Sequence, residues 1–331
     1  MNTMPDSRSA FNRRLLADIG GTHARFAMQS QHLGRLENMA VYQCAHFASL
    51  ELCVRHYLAD HPSAKPTCAA MGIATQVMGD WVSMPNNPWA FSTSALQQAL
   101  RLEQLLFIND FTALALSLPD LESDDLHRIH PGQPQAGAPL ALVGPGTGLG
   151  VSGLFATAQG SFVAISGEGG HVTLSADNPY EVAVLDFLQK RFGHASAERA
   201  LSGPGLLNLY EAVCAIDDRP RQHTQPHEVM DSALSHADPA GVAALGLFFS
   251  FLGSICGNLA LTLGARGGLY LGGGIVPRAL AALEQSQFLS RYLQKGRYQD
   301  YLRQIPIWVI TADVFPALKG AARALDMKNQ A

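Results

Sequence analysis

Two carboxylates stand where carboxylates are costly. Asp18 interrupts the apolar run 15–19, and Asp110 follows the short apolar run 105–108 through Asn109. A carboxylate inside a strand needs a cation, a donor or a metal with bound water, or else it caps the turn that follows. Both of these readings stay open for Asp18. At a strand tip, Asp110 is placed either to take a proton as a general base or to cap the next helix. Glycine-dense turns come next. Gly20-Gly21-Thr22 follows the first strand. Residues 144–150 hold four glycines and Thr147, with Pro145 stiffening the entry. Such turns let backbone N–H groups approach an anion closely, although the same residues also make ordinary tight turns. The two Gly/Thr turns echo each other, and facing each other they would clamp a polyphosphate through N–H groups and the hydroxyls of Thr22 and Thr147. Gly272-Gly273-Gly274, between a strand and a helix, is a further place for close ligand approach. Gly167-Glu168-Gly169-Gly170-His171 holds a carboxylate and an imidazole on a flexible scaffold, suited to a polar substrate. Glu168 and His171 as metal ligands would need a third partner, and none is evident. The run 84–89 is a loop rich in amides, including Asn86 and Asn87.

The elements that position these groups can be read from pattern. Residues 15–19 and 23–29 form strands around the first Gly turn, with Arg25, Ala27 and Gln29 on one face. A helix is expected over 47–58, a buried strand over 69–74, and a hairpin at Gly79-Asp80. Ser94 with Gln97 suggests a capping box. Residues 105–108 form a strand, 111–118 a helix, and 119–139 a loop that marks a domain junction near 119. Helices are expected over 180–192 and 206–215, after the turn 201–205. The stretch 217–239 reads as a polar, His-rich surface excursion. Strands over 268–271 and 305–311 precede a closing helix over 316–327. The glycine spacing is neither a Walker loop, since no Gly-Lys-Ser/Thr follows, nor a dinucleotide fingerprint.

Composition narrows the class. The chain has 331 residues, 47% hydrophobic and 15% charged, with a net charge of −4. That describes a globular chain of about two domains, without the basic face of a nucleic-acid binder. The five cysteines show no C-x-x-C pair, which fits a reducing cytosol and argues against a Cys-rich zinc site. Arg13-Arg14 faintly matches an export signal, but Asp18 ends the apolar run too early. Residues 241–265 carry no charge and are long enough to span a membrane. The polar stripe Ser250, Ser254, Asn258 and Thr262, together with Gly246, Gly253, Gly257 and Gly264, favours a buried helix instead.

Taken together, Asp18-Ile19-Gly20-Gly21-Thr22-x-x-Arg25, Ile108-Asn109-Asp110-Phe111, Gly146-Thr147-Gly148-Leu149-Gly150, Gly167–His171 and Leu271-Gly272-Gly273-Gly274-Ile275 resemble, in order and spacing, bacterial glucokinases. Glu198-Arg199 before Leu201-Ser202-Gly203-Pro204-Gly205 fits the same pattern. This is the hexokinase branch of the actin-like ATPase fold. The absent zinc motif separates the chain from the related repressor and sugar-kinase group. The resemblance implies an α/β chain of two actin-like, ribonuclease H-like domains with a central cleft. Residues 1–119 with 313–331 would form the small domain and 120–312 the large one. It implies ATP-dependent phosphorylation of D-glucose to glucose 6-phosphate, in the cytoplasm, by a homodimer. Asp110 would be the base at the 6-hydroxyl. Asn109, Glu168, His171 and Glu198 would bind other sugar hydroxyls, with Asn86 and Asn87 beside them. Gly20, Gly21, Thr22, Gly146, Thr147 and Gly148 would hold the phosphates, and Gly272, Gly273 and Gly274 would lie along the adenosine. Asp18 would order Mg²⁺ through water. Phosphoryl transfer needs positioning and charge stabilisation more than covalent catalysis, which suits this set. His23 stands where the family usually has Asn, and residues 313–317 differ from the usual His-Asp-Asn-Pro-Gly, which bears on nucleotide preference. Alternatives on the same fold are a non-catalytic sugar sensor or regulator and a kinase for another hexose. About 14 residues precede the first strand, too few for a helix-turn-helix domain.

Overall fold

The computed structural model describes residues 13–30, 34–84, 87–157, 160–312 and 316–330. Two compact units divide the chain: residues 1–121 with 312–331, and residues 122–311. Asn86 and residues 313–315 lie outside the described residues.

The first unit is built on a five-stranded sheet. Its strands are β1 (Arg13–Ile19), β2 (His23–Ser30), β3 (Leu36–Gln43), β4 (Cys68–Ile73) and, after the short hairpin β5 (Trp81–Ser83) and β6 (Ala90–Ser92), β7 (Gln104–Asn109). The order is β3-β2-β1-β4-β7. β1 and β2 pair antiparallel across the first Gly/Thr turn, whereas β4 and β7 run parallel to β1. Parallel strands need crossovers, and helices supply them. These are α1 (Leu50–Asp60) and α2 (Thr93–Ala99), with α3 (Asp110–Ser117) leaving β7. One face of the sheet packs Leu15, Ala17, Ile19, Phe26 and Met71 against Val54, Tyr57 and Trp89. On the other face, Leu16, Ala27 and Ala70 meet Leu318, Ala321, Ala322 and Leu325 of the C-terminal helix (Pro316–Gln330). That alternation is the period-2 pattern of a strand covered on both faces. Arg14 is buried and pairs with Asp326 at 2.5 Å, so the Arg-Arg pair is part of β1.

The second unit carries a six-stranded sheet with the order β11-β10-β9-β12-β13-β8. The strands are β8 (Leu126–His130), β9 (Leu140–Pro145), β10 (Leu149–Ala156), β11 (Phe162–Ala164), β12 (Gly268–Leu271) and β13 (Ile307–Ile310). Between β11 and β12 lie α4 (Pro179–Phe192), α5 (Gly203–Ile216), α6 (Pro226–Leu234) and α7 (Pro239–Leu263); α8 (Leu280–Gln285), α9 (Phe288–Leu293) and α10 (Gln299–Arg303) precede β13. α7 is long and apolar enough to cross a membrane, yet 78% of its most apolar window is buried in the chain itself. Its Gly253 and Gly257 lie against the backbone of Phe288 and Tyr292 on α9, where any side chain would collide. The polar stripe turns inward on the helix: Ser250, Ser254 and Thr262 donate to carbonyls four residues earlier.

Several local expectations need correction. The Gly79-Asp80 hairpin is displaced: β5 pairs with β6, so the turn follows Ser83, and Asp80 instead accepts from Ser92, Thr93 and Ser94 at the start of α2. The cap of α2 is Ser92, whose hydroxyl accepts from Ala95 N–H at 3.1 Å, and not Ser94. Residues 119–139 contain β8, which pairs with the distant β13. The 217–239 excursion contains α6, which buries Val229, Met230 and Ala233. The turn 201–205 is the first turn of α5, capped by Ser202.

Candidate active site

In the first unit, the register sets the acids at one end of the sheet. Asp18 on β1 stands level with Gly72 on β4, which stands level with Ile108 on β7. Asn109 and Asp110 come next along β7 and α3, so the carboxyl ends of the parallel strands carry both acids. Gly72 lets α3 start close to the sheet: a Cβ there would lie 3.3 Å from Ala113 Cβ and 3.4 Å from Asp110 Cα. Asp18 pairs across the hairpin with Arg25, whose Nη1 donates to Asp18 Oδ2 at 3.1 Å. Burial holds the Asp18 carboxyl above the usual carboxylate range, and the Arg25 guanidinium opposes that shift. The cation reading of Asp18 is thus realised within the protein.

Asn109 is the cap of α3. Its Oδ1 accepts from Phe111 N–H at 3.0 Å and Thr112 N–H at 3.1 Å. The reading of Asp110 as the cap is corrected, because Asn109 fills that position. Asp110 is the first helical residue, and its Oδ1 accepts from Phe111 N–H at 2.8 Å. The helix N-terminus complements a negative charge here.

The Gly20–Thr22 turn closes with Gly20 N–H donating to His23 O at 2.9 Å. Buried Cys44 braces it from behind: its N–H donates to Thr22 O at 2.8 Å and its thiol to Gly20 O at 3.6 Å. Burial pushes the Cys44 thiol up, partly offset by the Asn87 amide. Asn87 is itself buried and accepts from Trp89 N–H at 3.0 Å. Cys44 and Gly72 carry no motif of their own, so their support is visible only in the fold.

In the second unit, the expected residues converge on the start of β10. β9 and β10 pair antiparallel from Pro145↔Leu149 outward, leaving Gly146-Thr147-Gly148 as the turn. Thr147 is exposed at its tip. Three other segments hold this hairpin. Gly203 N–H donates to Gly146 O at 2.8 Å. Glu198 Oε2 accepts from Leu149 N–H at 2.9 Å. Gly272 N–H donates to Val143 O at 2.8 Å, and Gly273, at φ +76, rests on the Pro145 backbone where a Cβ would collide. Gly274 is exposed beyond it. Gly169 and Gly170 press against Val151 and Leu149, again with no room for a side chain. This fixes the Glu168–His171 turn beside the hairpin. Glu168 Oε2 and His171 Nε2 lie 3.9 Å apart, both more than half exposed. Among the described residues, no group of three His, Cys, Asp or Glu side chains is arranged to hold a metal ion.

The structure therefore gathers Asp18, Gly20, Gly21, Thr22, Asn109 and Asp110 at one end of the first sheet. It gathers Gly146, Thr147, Gly148, Glu168, His171, Glu198, Gly272, Gly273 and Gly274 around one hairpin. Gly203, which grips Gly146, belongs to the site as well; its signal was the Ser-Gly-Pro-Gly run opening a helix.

The chain is similar to known proteins along nearly its whole length. The glucokinase family model matches residues 15–328. A glucokinase from Aromatoleum aromaticum is 46% identical over 324 residues, covering 98% of this chain and 97% of that protein. One from Neisseria meningitidis is 43% identical over 326 residues, with 98% of each covered. The crystal structure of a glucokinase from an Antarctic psychrotroph superposes with a TM-score of 0.85 at 38% identity, covering 96% of this chain and 99% of that one. A ROK family glucokinase from Streptomyces griseus, solved with glucose and AMPPNP, shares the fold at a TM-score of 0.64 and 17% identity, covering 96% of this chain and 100% of that one. With nearly the whole length matched by the family model and by relatives above 40% identity, this chain belongs to the glucokinase family, an enzyme family of actin-like fold that phosphorylates glucose with ATP.

Proposed function

We propose that the chain transfers the terminal phosphoryl group of ATP to the 6-hydroxyl of D-glucose with Asp110 as general base. The observation that carries this reading is the setting of Asp110: at the carboxyl end of a parallel strand, on the first turn of α3, just after the capping Asn109. A carboxylate so placed accepts the alcohol proton as the hydroxyl oxygen attacks the phosphorus. Asn109, Asn87, Glu168, His171 and Glu198 supply the paired donors and acceptors that a sugar's hydroxyls require. Asn86 belongs to the same assignment. Gly20, Gly21, Thr22, Gly146, Thr147 and Gly148 offer N–H groups and hydroxyls to the phosphates, and Gly272 to Gly274 a surface without side chains along the nucleoside.

Mg²⁺ fits the donor set as an ion held through water and the substrate's phosphates. The Asp18 carboxylate gives Oδ2 to Arg25, and its other oxygen is the one that would accept from a metal-bound water. When bound, the ion neutralises charge on the transferring phosphate oxygens. Arg25 holds the Asp18 carboxylate in place, and Cys44 holds the turn beside it.

We place the enzyme in the cytoplasm as a homodimer. The five cysteines, none in a disulfide, support a reducing compartment; light scattering of the purified chain tests the dimer. The function is tested by supplying glucose with ATP, ADP or polyphosphate in turn and measuring glucose 6-phosphate. Product with ATP is expected. Glucose binding without product from any donor would favour a sugar sensor, and faster turnover of another hexose would move the substrate.

A further inference from the structure

The Glu198 carboxylate touches the phosphate hairpin, although its proposed partner is the sugar. Leu149 stands opposite Pro145, whose carbonyl accepts from Ile275 N–H at 3.4 Å. The Leu149 N–H goes instead to Glu198 Oε2 at 2.9 Å. Gly148 leaves room for that carboxylate: a Cβ there would lie 2.5 Å from the same oxygen. Glu198 is held in turn, since Ser202 Oγ donates to its carbonyl at 2.9 Å while capping α5 through Gly205 N–H at 2.9 Å. One residue further along, Gly203 N–H grips Gly146 O at 2.8 Å. The loop 198–203 thus holds both arms of the hairpin, one by a charged side chain and one by a backbone bond.

We propose that Glu198 couples the sugar site to the nucleotide site. One carboxylate oxygen sets the Gly148–Leu149 backbone, and the other serves a sugar hydroxyl. Glu198 is therefore a positioning residue for the nucleotide: it fixes the turn whose N–H groups face the phosphates. A hydrogen bond to an ionised group is strong enough to hold the turn in one geometry. By linkage, what sugar does to nucleotide affinity through this bond, nucleotide does to sugar affinity. The inference rests on the proposed roles of Glu198 at the sugar and of Gly146 to Gly148 at the phosphates.

The test measures AMPPNP–Mg²⁺ binding to the full chain by calorimetry without sugar. A residue that served only the sugar would leave this binding unchanged when altered. Glu198→Ala is expected to weaken it by at least about threefold. Glu198→Gln keeps an oxygen for the Leu149 N–H and is expected to restore most nucleotide affinity while glucose binding stays weak. From the other side, Gly148→Ala pushes on the carboxylate and is expected to weaken glucose binding by at least about threefold without nucleotide present. Glu198→Ala with wild-type AMPPNP affinity overturns the coupling. So does Gly148→Ala with wild-type glucose affinity, which also decides the matter if Glu198→Ala does not fold. Absence of glucose 6-phosphate from the wild-type chain would count against the kinase reading and not against the coupling, because both binding measurements are made without turnover.

Discussion

Replacing Asp110 by asparagine removes one charge and almost no structure. The Asn side chain keeps an oxygen for Phe111 N–H, now accepted at 2.8 Å, and Asn109 still caps α3 through two N–H groups. The cost to stability is the interaction of one carboxylate with a helix N-terminus, about 0.3–1 kcal/mol. The cost to chemistry is the loss of a positioned base, about 10²–10⁴-fold, which is roughly 2.7–5.5 kcal/mol in the barrier. The two effects differ several-fold, so they separate experimentally. Glucose 6-phosphate formation, followed through a coupled dehydrogenase, should fall by at least about a hundredfold in kcat. The thermal midpoint should move by only a few degrees, about 2–4 °C per kcal/mol for a folding unit of roughly 150 residues. Asn109→Ala should cost about 1 kcal/mol of stability through the lost cap, and should raise the KM for glucose as well. A kcat for Asp110→Asn within about tenfold of wild type would refute the base assignment, because a proton acceptor worth so little is not the group in the transition state.

Two further predictions concern stability. Arg291 lies buried among Glu181, with which it makes a close bidentate pair, Ser254 Oγ at 2.9 Å, and Asp177. Arg291→Ala leaves the buried Glu181 carboxylate uncompensated, so the second unit should lose about 3–5 kcal/mol in denaturant unfolding, and a loss below about 1 kcal/mol would contradict the buried-charge argument. Asp80 is exposed to solvent, but hydrogen bonds, first from the Ser92 hydroxyl and then from Ser94 and Thr93, hold its carboxyl well below the usual carboxylate range. A depressed folded value means that its stabilisation is present above the unfolded value, near pH 4, and is lost as the pH falls below it. Protection factors of the α2 amides, referred to the intrinsic exchange rate at each pH, should therefore fall on acidification in wild type and fall less in Asp80→Asn; an equal response in both would remove Asp80 as the cause.

The amino-acid sequence determined the local chemistry. Glycine and threonine between short apolar runs specify the hairpins at 20–22 and 146–148, because turn geometry is decided within a few residues. The first hairpin also fixes the Asp18↔Arg25 pairing, since a tight turn sets register. The strand-then-acid order places Asp110 at the end of β7. Patterning could not supply what depends on distant partners. β8 became a strand only by pairing with β13, far along the chain. The role of Asp80 depends on Ser92 to Ser94, which come to it through the β5–β6 pairing. The cap of α3 fell to Asn109 through the backbone path. Glu198 reaches Leu149 across 49 residues, and Arg291 reaches Glu181 across 110. Contacts at such separations cost loop-closure entropy that only the packed core can repay, so tertiary structure alone decided them.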